Sequence, residues 1–442
     1  MAASPQRGGA IMASRRLSAV AGILLATFLA APAMAAGDLV LDKAVVLMRH
    51  GVRPPTSSKA IAPFAAKPWP TWEVADGMLT PHGAEAVGRL GAWEGRMLAS
   101  RGLLNAPECP KPGEVFAWAS SQLQRTVDTG NALLAAMFPG CGLAVGHGDA
   151  KGADPLFTAS DTDLGRLDPE KGRAAILAAM DGSFDGPKQR LAPLYKELSG
   201  VLGCGAKGCD FADRPWDIVA KSDGRNLSLE GPIGEASTIA QVFLLEYANG
   251  LPPDQLAWGH ITSADDVIRL SAMRQVKYEY FERVPYIARR GASNILNQLL
   301  IGLAEGASVP GVDTAGGPPD ARLTLFVGSD TQIAEIGGML DAHWTLDSYL
   351  KDETPPSGGL VFERLLDKAT GQRFVRVEFL TPRLDQIRAA VVLDDANPPE
   401  FVQVSLPGCD GQRPDGACPI ETFAKIVSAA LDRTAVAPQT YH

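Results

Sequence analysis

Histidine and cysteine are scarce in this chain, six of each among 442 residues, and none stands at metal-ligand spacing. A zinc site is disfavoured for that reason: CGAKGC and CDGQRPDGAC lie far apart and have no histidines at ligand distance. Other routes are missing as well. The chain has no G-x-S-x-G elbow for a nucleophilic serine, no G-x-x-x-x-G-K-[ST] phosphate loop, and no cysteine followed six residues later by arginine. Asp161-Thr162-Asp163 resembles an acidic pair, but it stands in a polar loop without the context of an aspartyl-phosphate site. Basic excess is also lacking. Lys and Arg total 41 against 50 Asp and Glu, a net charge of −9, which makes nucleic acid and anionic membrane poor partners. Beyond the first 30 residues no apolar run is long enough to cross a bilayer.

What is present begins with an export signal. Arg15 and Arg16 precede the apolar run Leu17 to Leu29, and Ala33-Met34-Ala35 offers a small-residue cleavage site. The run is short and breaks at Pro32, unlike a membrane anchor. Residues 1–35 are therefore expected to be removed. The mature chain loses three arginines and no acids, so its net charge falls from −9 to −12. Its expected location is periplasmic or secreted, free of the membrane. The even cysteine count then suggests three disulfides. Neighbour pairing (Cys109–Cys141, Cys204–Cys209, Cys409–Cys418) is the expectation, although 15 connectivities are possible.

Val45 to Met48 is a continuous apolar run rich in β-branched residues and reads as a buried strand. Thr80 and Pro81 start a helix that should end near Ser100, before Gly102. A strand around Val115 to Ala119 leads into the helical stretch SSQLQRTVDTGNALLAAMF. Residues 155–318 read as mostly helical, in RAAILAAM, PIGEASTIAQVFLLEYANG and one long segment from Asp265 to Gly306. Leu323 to Val327 is again a buried strand, stopping at Gly328-Ser329-Asp330. VFERLL, FVRVEFL and FVQVSL then read as strands, with a last helix near Ile420. The pattern predicts an α/β domain (36–154 and 319–442) interrupted by an inserted α-helical domain (155–318). Sites in open α/β sheets form beyond the carboxyl ends of strands. RHGVR and GSD both occupy such ends.

The stretch VVLMRHGVRPPT, Val45 to Thr56, packs Arg49, His50 and Arg53 into five residues. Cations this close need an anion among them. A phosphate monoester fits: arginine forks pair bidentately with its oxygens, and neutral imidazole can attack phosphorus to give a phosphoramidate that water cleaves. Neighbouring arginines disfavour imidazolium, so His50 should stay neutral in acid. A salt-bridged surface loop is the plain alternative on residue chemistry alone.

RHGVRPPT resembles the R-H-G-x-R-x-P signature of the histidine acid phosphatases, the branch of the phosphohistidine superfamily that holds bacterial periplasmic phytases and glucose-1-phosphatases. WPTW, LTPHG, LQRTVDT, DPLF, AWGHI and TPPSGGLVFER resemble further family segments in order, as do the cysteine spacings. The resemblance implies a phosphoglycerate-mutase-like α/β domain with a large helical insertion. It implies His50 as nucleophile, Asp330 as proton donor, and Arg49, Arg53, Arg125 and Thr56 as substrate ligands. Ser329, which stands where the family carries a second, phosphate-binding histidine, is expected to border the bound substrate as well, and Gln332 stands where asparagine is usual. No cofactor or metal is implied, and the partner is a small phosphomonoester met by a monomer. WPTW and TPPSGGLVFER are similar to the phytase group, LQRTVDT and DQLAWGH to the glucose-1-phosphatase group. Loss of the histidine at 329 motivates an alternative, a phosphoester-binding protein with reduced or lost catalysis. A mutase of the same superfamily is disfavoured by the export signal and the disulfides.

Overall fold

The computed structural model describes residues 39–148, 152–204 and 214–441. The export signal and Cys209 lie outside the described residues. The first third holds β1 (Leu39–Arg49), α1 (Ser58–Ile61), α2 (Pro81–Ser100), β2 (Val115–Ala119), α3 (Gln124–Met137) and β3 (Gly146–His147). Next come α4 (Pro169–Ala179), α5 (Asp185–Val201), β4 (Asp217–Ala220), β5 (Leu227–Glu230), α6 (Pro232–Ala248), α7 (Ala264–Tyr280) and α8 (Pro285–Ala304). The last part holds β6 (Leu323–Gly328), α9 (Asp330–Leu340), β7 (Gly359–Asp367), β8 (Arg373–Thr381), α10 (Leu384–Ala389), β9 (Glu400–Gln403), β10 (Cys418–Pro419) and α11 (Ile420–Ala430).

Strand β1 lies inside the main sheet, whose order is β10-β8-β7-β1-β6-β2-β3, with β9 also pairing β8. It runs parallel to β6 and antiparallel to β7, while β2 runs parallel to β6. Both faces of β1 are covered, which is why its sequence is apolar without alternation. Val45 and Leu47 join the core shared with α8 and α9, and Ala44, Val46 and Met48 join the core of α2 and α3. Thr80 caps α2 as expected, its Oγ1 accepting from the Gly83 N–H at 2.8 Å, with Pro81 in the first turn. The pairings Cys109–Cys141 and Cys409–Cys418 are formed.

Three sequence expectations need correction. The segment from Asp265 to Gly306 is two helices, α7 and α8. Pro285 cannot supply an N–H to continue α7 and holds Val284 extended at φ −63°, ψ 122°. The middle of the chain also contains the antiparallel pair β4–β5, too short to announce itself by periodicity. FVQVSL contributes only Phe401, Val402 and Gln403 to the short strand β9.

Candidate active site

Register builds the site. In the parallel pair of β1 and β6, Arg49 stands opposite Gly328, and the His50 N–H donates to the Gly328 carbonyl at 3.1 Å. Segments far apart in sequence therefore end side by side, placing His50 next to Ser329 and Asp330. From the other side the Ser357 N–H donates to the His50 carbonyl at 3.2 Å. Strand β2 ends level with both, since Ala119 pairs with Val327 and the Ser120 N–H donates to the Val327 carbonyl at 3.1 Å. The turn after β2 delivers Arg125 on the first turn of α3.

Gly51 permits this approach. A Cβ there would lie 2.8 Å from Leu79 Cδ1 and 2.9 Å from Val87 Cγ2, closer than side chains tolerate. Its N–H donates to Thr129 Oγ1 at 3.0 Å, tying the loop to α3. The imidazole of His50 is fully buried. Its Nδ1 lies 2.8 Å from the Gly51 carbonyl, which can only accept, so Nδ1 carries the hydrogen. Nε2 then presents a bare lone pair, and it is buried with no protein partner. Burial, then Arg125, Arg53 and Arg49, push the His50 pKa well below its ordinary value, outweighing the opposite pull of Asp330. The sequence reading named the arginines; desolvation, which no motif displays, comes first.

The arginines surround that lone pair. Arg49 is fully buried, its Nη1 donating to the Thr354 carbonyl. Arg53 donates from Nη1 to the Pro54 carbonyl at 2.8 Å, and Arg125 from Nη1 to the Gly77 carbonyl at 3.2 Å. Arg49 Nε and Nη2, Arg53 Nε and Arg125 Nε are buried without hydrogen-bond partners. Burial, followed by the Arg125 and Arg49 charges, pulls Arg53 down to about 9. Such a cluster holds unsatisfied donors aimed at an anion. Thr56 sits apart from this buried group: it is exposed, beside the Gly77 that anchors Arg125.

Asp330, the first residue of α9, is buried. Its Oδ2 accepts from Arg274 Nη2 and from the Tyr278 hydroxyl, and Oδ1 lies 3.8 Å from Arg49 Nε. Burial raises its pKa, yet Arg49 and Arg274, with the Tyr278 hydrogen bond, win and hold it well below the usual carboxylate range. Arg274 was not legible as a site residue. Its other bonds go to Glu353 Oε1 at 2.8 Å, Thr354 Oγ1 at 3.1 Å, the Tyr278 hydroxyl at 3.0 Å and, from Nε, Gln241 Oε1 at 3.2 Å. The available signal was weak: Arg274 and Tyr278 lie four apart, on one face of α7, amid apolar residues.

Ser329 reaches the edge of the site but is committed elsewhere. Its N–H and Oγ both donate to Gln332 Oε1, at 2.7 and 3.0 Å, while Gln332 Nε2 donates to the Phe157 carbonyl. The hydroxyl hydrogen of Ser329 is therefore engaged by Gln332 and not left free. The two departures from the family pattern, Ser329 and Gln332, are one hydrogen-bonded unit. Among the remaining histidines, His82 Nε2 meets the Ile387 carbonyl at 2.9 Å and His343 Nδ1 meets Asp352 Oδ2 at 2.6 Å.

With this geometry in hand, comparison with known proteins is specific. The family model of the histidine phosphatase superfamily (branch 2) matches residues 40–199 and 244–379. The chain is 32% identical over 410 residues to phytase AppA of Escherichia coli strain K12, covering 89% of this chain and 92% of that protein. It is 30% identical over 416 residues to a glucose-1-phosphatase of Providencia rettgeri, covering 91% and 96%. Among solved structures, Hafnia alvei phytase in complex with tartrate superposes with a TM-score of 0.83 at 33% identity, covering 91% of this chain and 100% of that one. Klebsiella sp. ASR1 phytase gives 0.82 at 32%, covering 90% and 98%.

Proposed function

Because the chain belongs to branch 2 of the histidine phosphatase superfamily, we propose that it is an exported, monomeric acid phosphatase that cleaves small phosphomonoesters through phospho-His50. Residues 155–318 are read as the insertion that supplies Arg274 and Tyr278 to the site. The observation that carries the reading is His50 Nε2: an unprotonated, buried lone pair among three arginines, each of which keeps a buried N–H group without a hydrogen-bond partner.

The phosphoryl oxygens take the free N–H groups of Arg49, Arg53 and Arg125, which neutralise charge and orient phosphorus toward Nε2. Nε2 attacks, a P–N bond forms, and the bond from phosphorus to the ester oxygen breaks with its electron pair on that oxygen. Asp330 gives the departing oxygen its proton. At rest Asp330 is a carboxylate, so the proton arrives with the substrate. A phosphate monoester has its second pKa near 6, and in acid it enters as a monoanion that can share its hydrogen with Asp330. Nδ1 keeps its hydrogen on the Gly51 carbonyl throughout, which stabilises the charge that grows on the ring. In the second half, the Asp330 carboxylate takes a proton from water, and the resulting hydroxide attacks phosphorus. The P–N bond breaks with its electron pair returning to Nε2, Asp330 passes the proton it took on to phosphate, which leaves as the monoanion, and neutral His50 and the Asp330 carboxylate are restored.

His50→Ala removes the nucleophile but leaves the arginines, so turnover should vanish while phosphate still binds. Quenching in alkali, where the P–N bond survives, with labelled substrate should trap label on the wild-type protein and none on the variant. Label on a residue other than His50 would refute the mechanism.

A further inference from the structure

Arg274 differs from Arg49, Arg53 and Arg125 in having every nitrogen engaged. Nε donates to Gln241 Oε1 at 3.2 Å and Nη1 to Glu353 Oε1 at 2.8 Å. Nη2 donates to Asp330 Oδ2, the Tyr278 hydroxyl and Thr354 Oγ1. Its side chain is almost wholly buried. This guanidinium is not a phosphate ligand. It stands between two carboxyls, with Glu353 on one prong and Asp330 on the other.

Glu353 is fully buried, and while its Oε1 holds Arg274, its Oε2 has no hydrogen-bond partner. A buried carboxyl with one oxygen unsatisfied costs free energy, and local costs of this kind persist where function uses them. The segment around it is pinned. The Glu353 carbonyl accepts from Trp344 Nε1 at 2.7 Å. The next residue, Thr354, holds both cations, its carbonyl accepting from Arg49 Nη1 and its hydroxyl from Arg274 Nη2. The Glu353 carboxyl is thus fixed against Arg274.

What this fixes is how Arg274 meets Asp330. An arginine fork beside a carboxylate closes on both oxygens in two parallel bonds when nothing restrains it. Here Glu353 holds Nη1 away, and Asp330 receives one prong, on Oδ2. Asp330 Oδ1 accepts no hydrogen bond among the described residues, and Arg49 Nε stands 3.8 Å from it.

Resting on the phosphatase reading, we infer that Glu353 is a positioning residue for the proton donor: it holds one prong of Arg274, so that Asp330 keeps Oδ1 for the proton that the leaving oxygen takes. The charge at 353 acts in the same direction. Glu353 is faced by Arg274 of α7, Arg49 of β1, Asp330 of α9 and Tyr349 of the loop before it. Asp330 is faced by Arg49, Arg274, Tyr278 and His50, and its charge also reaches Arg53 and Arg125. An anion at 353 draws on the Arg274 charge that otherwise acts wholly on Asp330, so Asp330 holds its proton to higher pH. Burial sets the Glu353 carboxyl above its ordinary value, against the pull of Arg274 and Arg49. The anion therefore appears as pH rises, on the side where Asp330 loses its proton.

The test compares Glu353→Leu and Glu353→Gln in the full chain, with kcat and KM measured across pH on an alkyl phosphate and on p-nitrophenyl phosphate. Leucine offers Arg274 no acceptor. In that variant kcat on the alkyl phosphate should fall about 10–100-fold, within the range of general-acid help. p-Nitrophenyl phosphate, whose leaving group needs no proton, should be nearly spared. KM should hold, because Arg49, Arg53 and Arg125 are untouched. The alkaline limb of kcat should move down by about 1 pH unit, since Arg274 then acts on Asp330 alone. Glutamine keeps an acceptor for Nη1 and loses only the charge, so it should recover most of the rate and retain part of the shift. Adding Arg274→Gln to Glu353→Gln should turn the downward shift into an upward one, because the cation through which Glu353 acts is gone. That reversal needs no leucine variant, so the test stands even where Glu353→Leu does not fold. In folded protein, equal losses on both substrates, a rise in KM with kcat unchanged, or an alkaline limb that stays in place in Glu353→Gln each overturns the positioning role and leaves the phosphatase reading intact. A wild-type protein that hydrolyses neither substrate sinks that reading and this inference together.

Discussion

Arg274 is where the mechanism is most exposed to refutation. It donates to the same Asp330 oxygen as Tyr278, and its charge is second only to Arg49 among those that hold the carboxyl low. An arginine beside an aspartate typically lowers the carboxyl pKa by about 1–3 units. Since Arg49 remains in Arg274→Gln, about 1–2 units should be recovered. Asp330 must be protonated to release a poor leaving group, so activity is lost as pH rises through its pKa in the complex. Removing the cation raises that pKa, and the alkaline limb of kcat should therefore move upward by about 1–2 pH units. The acid limb should stay, because Arg274 is absent from the causes that lower His50. Breaking a buried pair can cost about 3–5 kcal/mol by stranding its partner, here Glu353. The double variant Arg274→Gln, Glu353→Gln removes both charges and guards against unfolding. The assay is kcat against pH with an alkyl phosphate, with circular dichroism to certify the fold. An alkaline limb that stays in place in folded protein would show that Asp330 is not the group titrating there.

Asp330→Asn should cost roughly 10²–10⁴-fold on substrates with poor leaving groups and far less on p-nitrophenyl phosphate, whose leaving group needs no proton. Equal losses in kcat on both would remove Asp330 from the donor role. Ser329→His, made with Gln332→Asn because the two residues share a hydrogen bond, should tighten inhibition by phosphate. A charged hydrogen bond of about 1.5–3 kcal/mol corresponds to roughly 10–100-fold. Inhibition constants that do not move would mean position 329 is not a phosphate ligand in this site. Stability should favour acid. Burial pushes Glu94 and Glu246 up to about 8, so the stability they contribute is full below 4.5 and is lost as pH rises through about 8. Melting temperature should therefore fall between pH 5 and 8.5, and Glu246→Gln should flatten that slope; a rising slope would contradict the reading.

Much of this protein was legible in its sequence because the relevant interactions are local. β1 and β6 announced themselves as buried strands because both faces are covered and no polar alternation survives. Thr80-Pro81 marked the start of α2 through its own cap. Arg49, His50 and Arg53 were conspicuous because cations so near one another in sequence must share an anion. Arg125 needed the family resemblance, since one helix-surface arginine carries no signal of its own.

Only the tertiary structure could decide what depends on register and burial. The match of Arg49 with Gly328 brings His50 to Asp330, and no local pattern encodes the pairing of strands so distant in sequence. The tautomer of His50 follows from a backbone carbonyl 2.8 Å away. The low pKa of Asp330 comes from Arg49 and then from Arg274 on α7, 56 residues earlier in the chain. Ser329 read as a missing ligand, yet it is half of a cap completed by Gln332. In each case the chemistry depends on the group that folding places opposite a residue and on how much water it excludes. Residue types in sequence carry neither quantity.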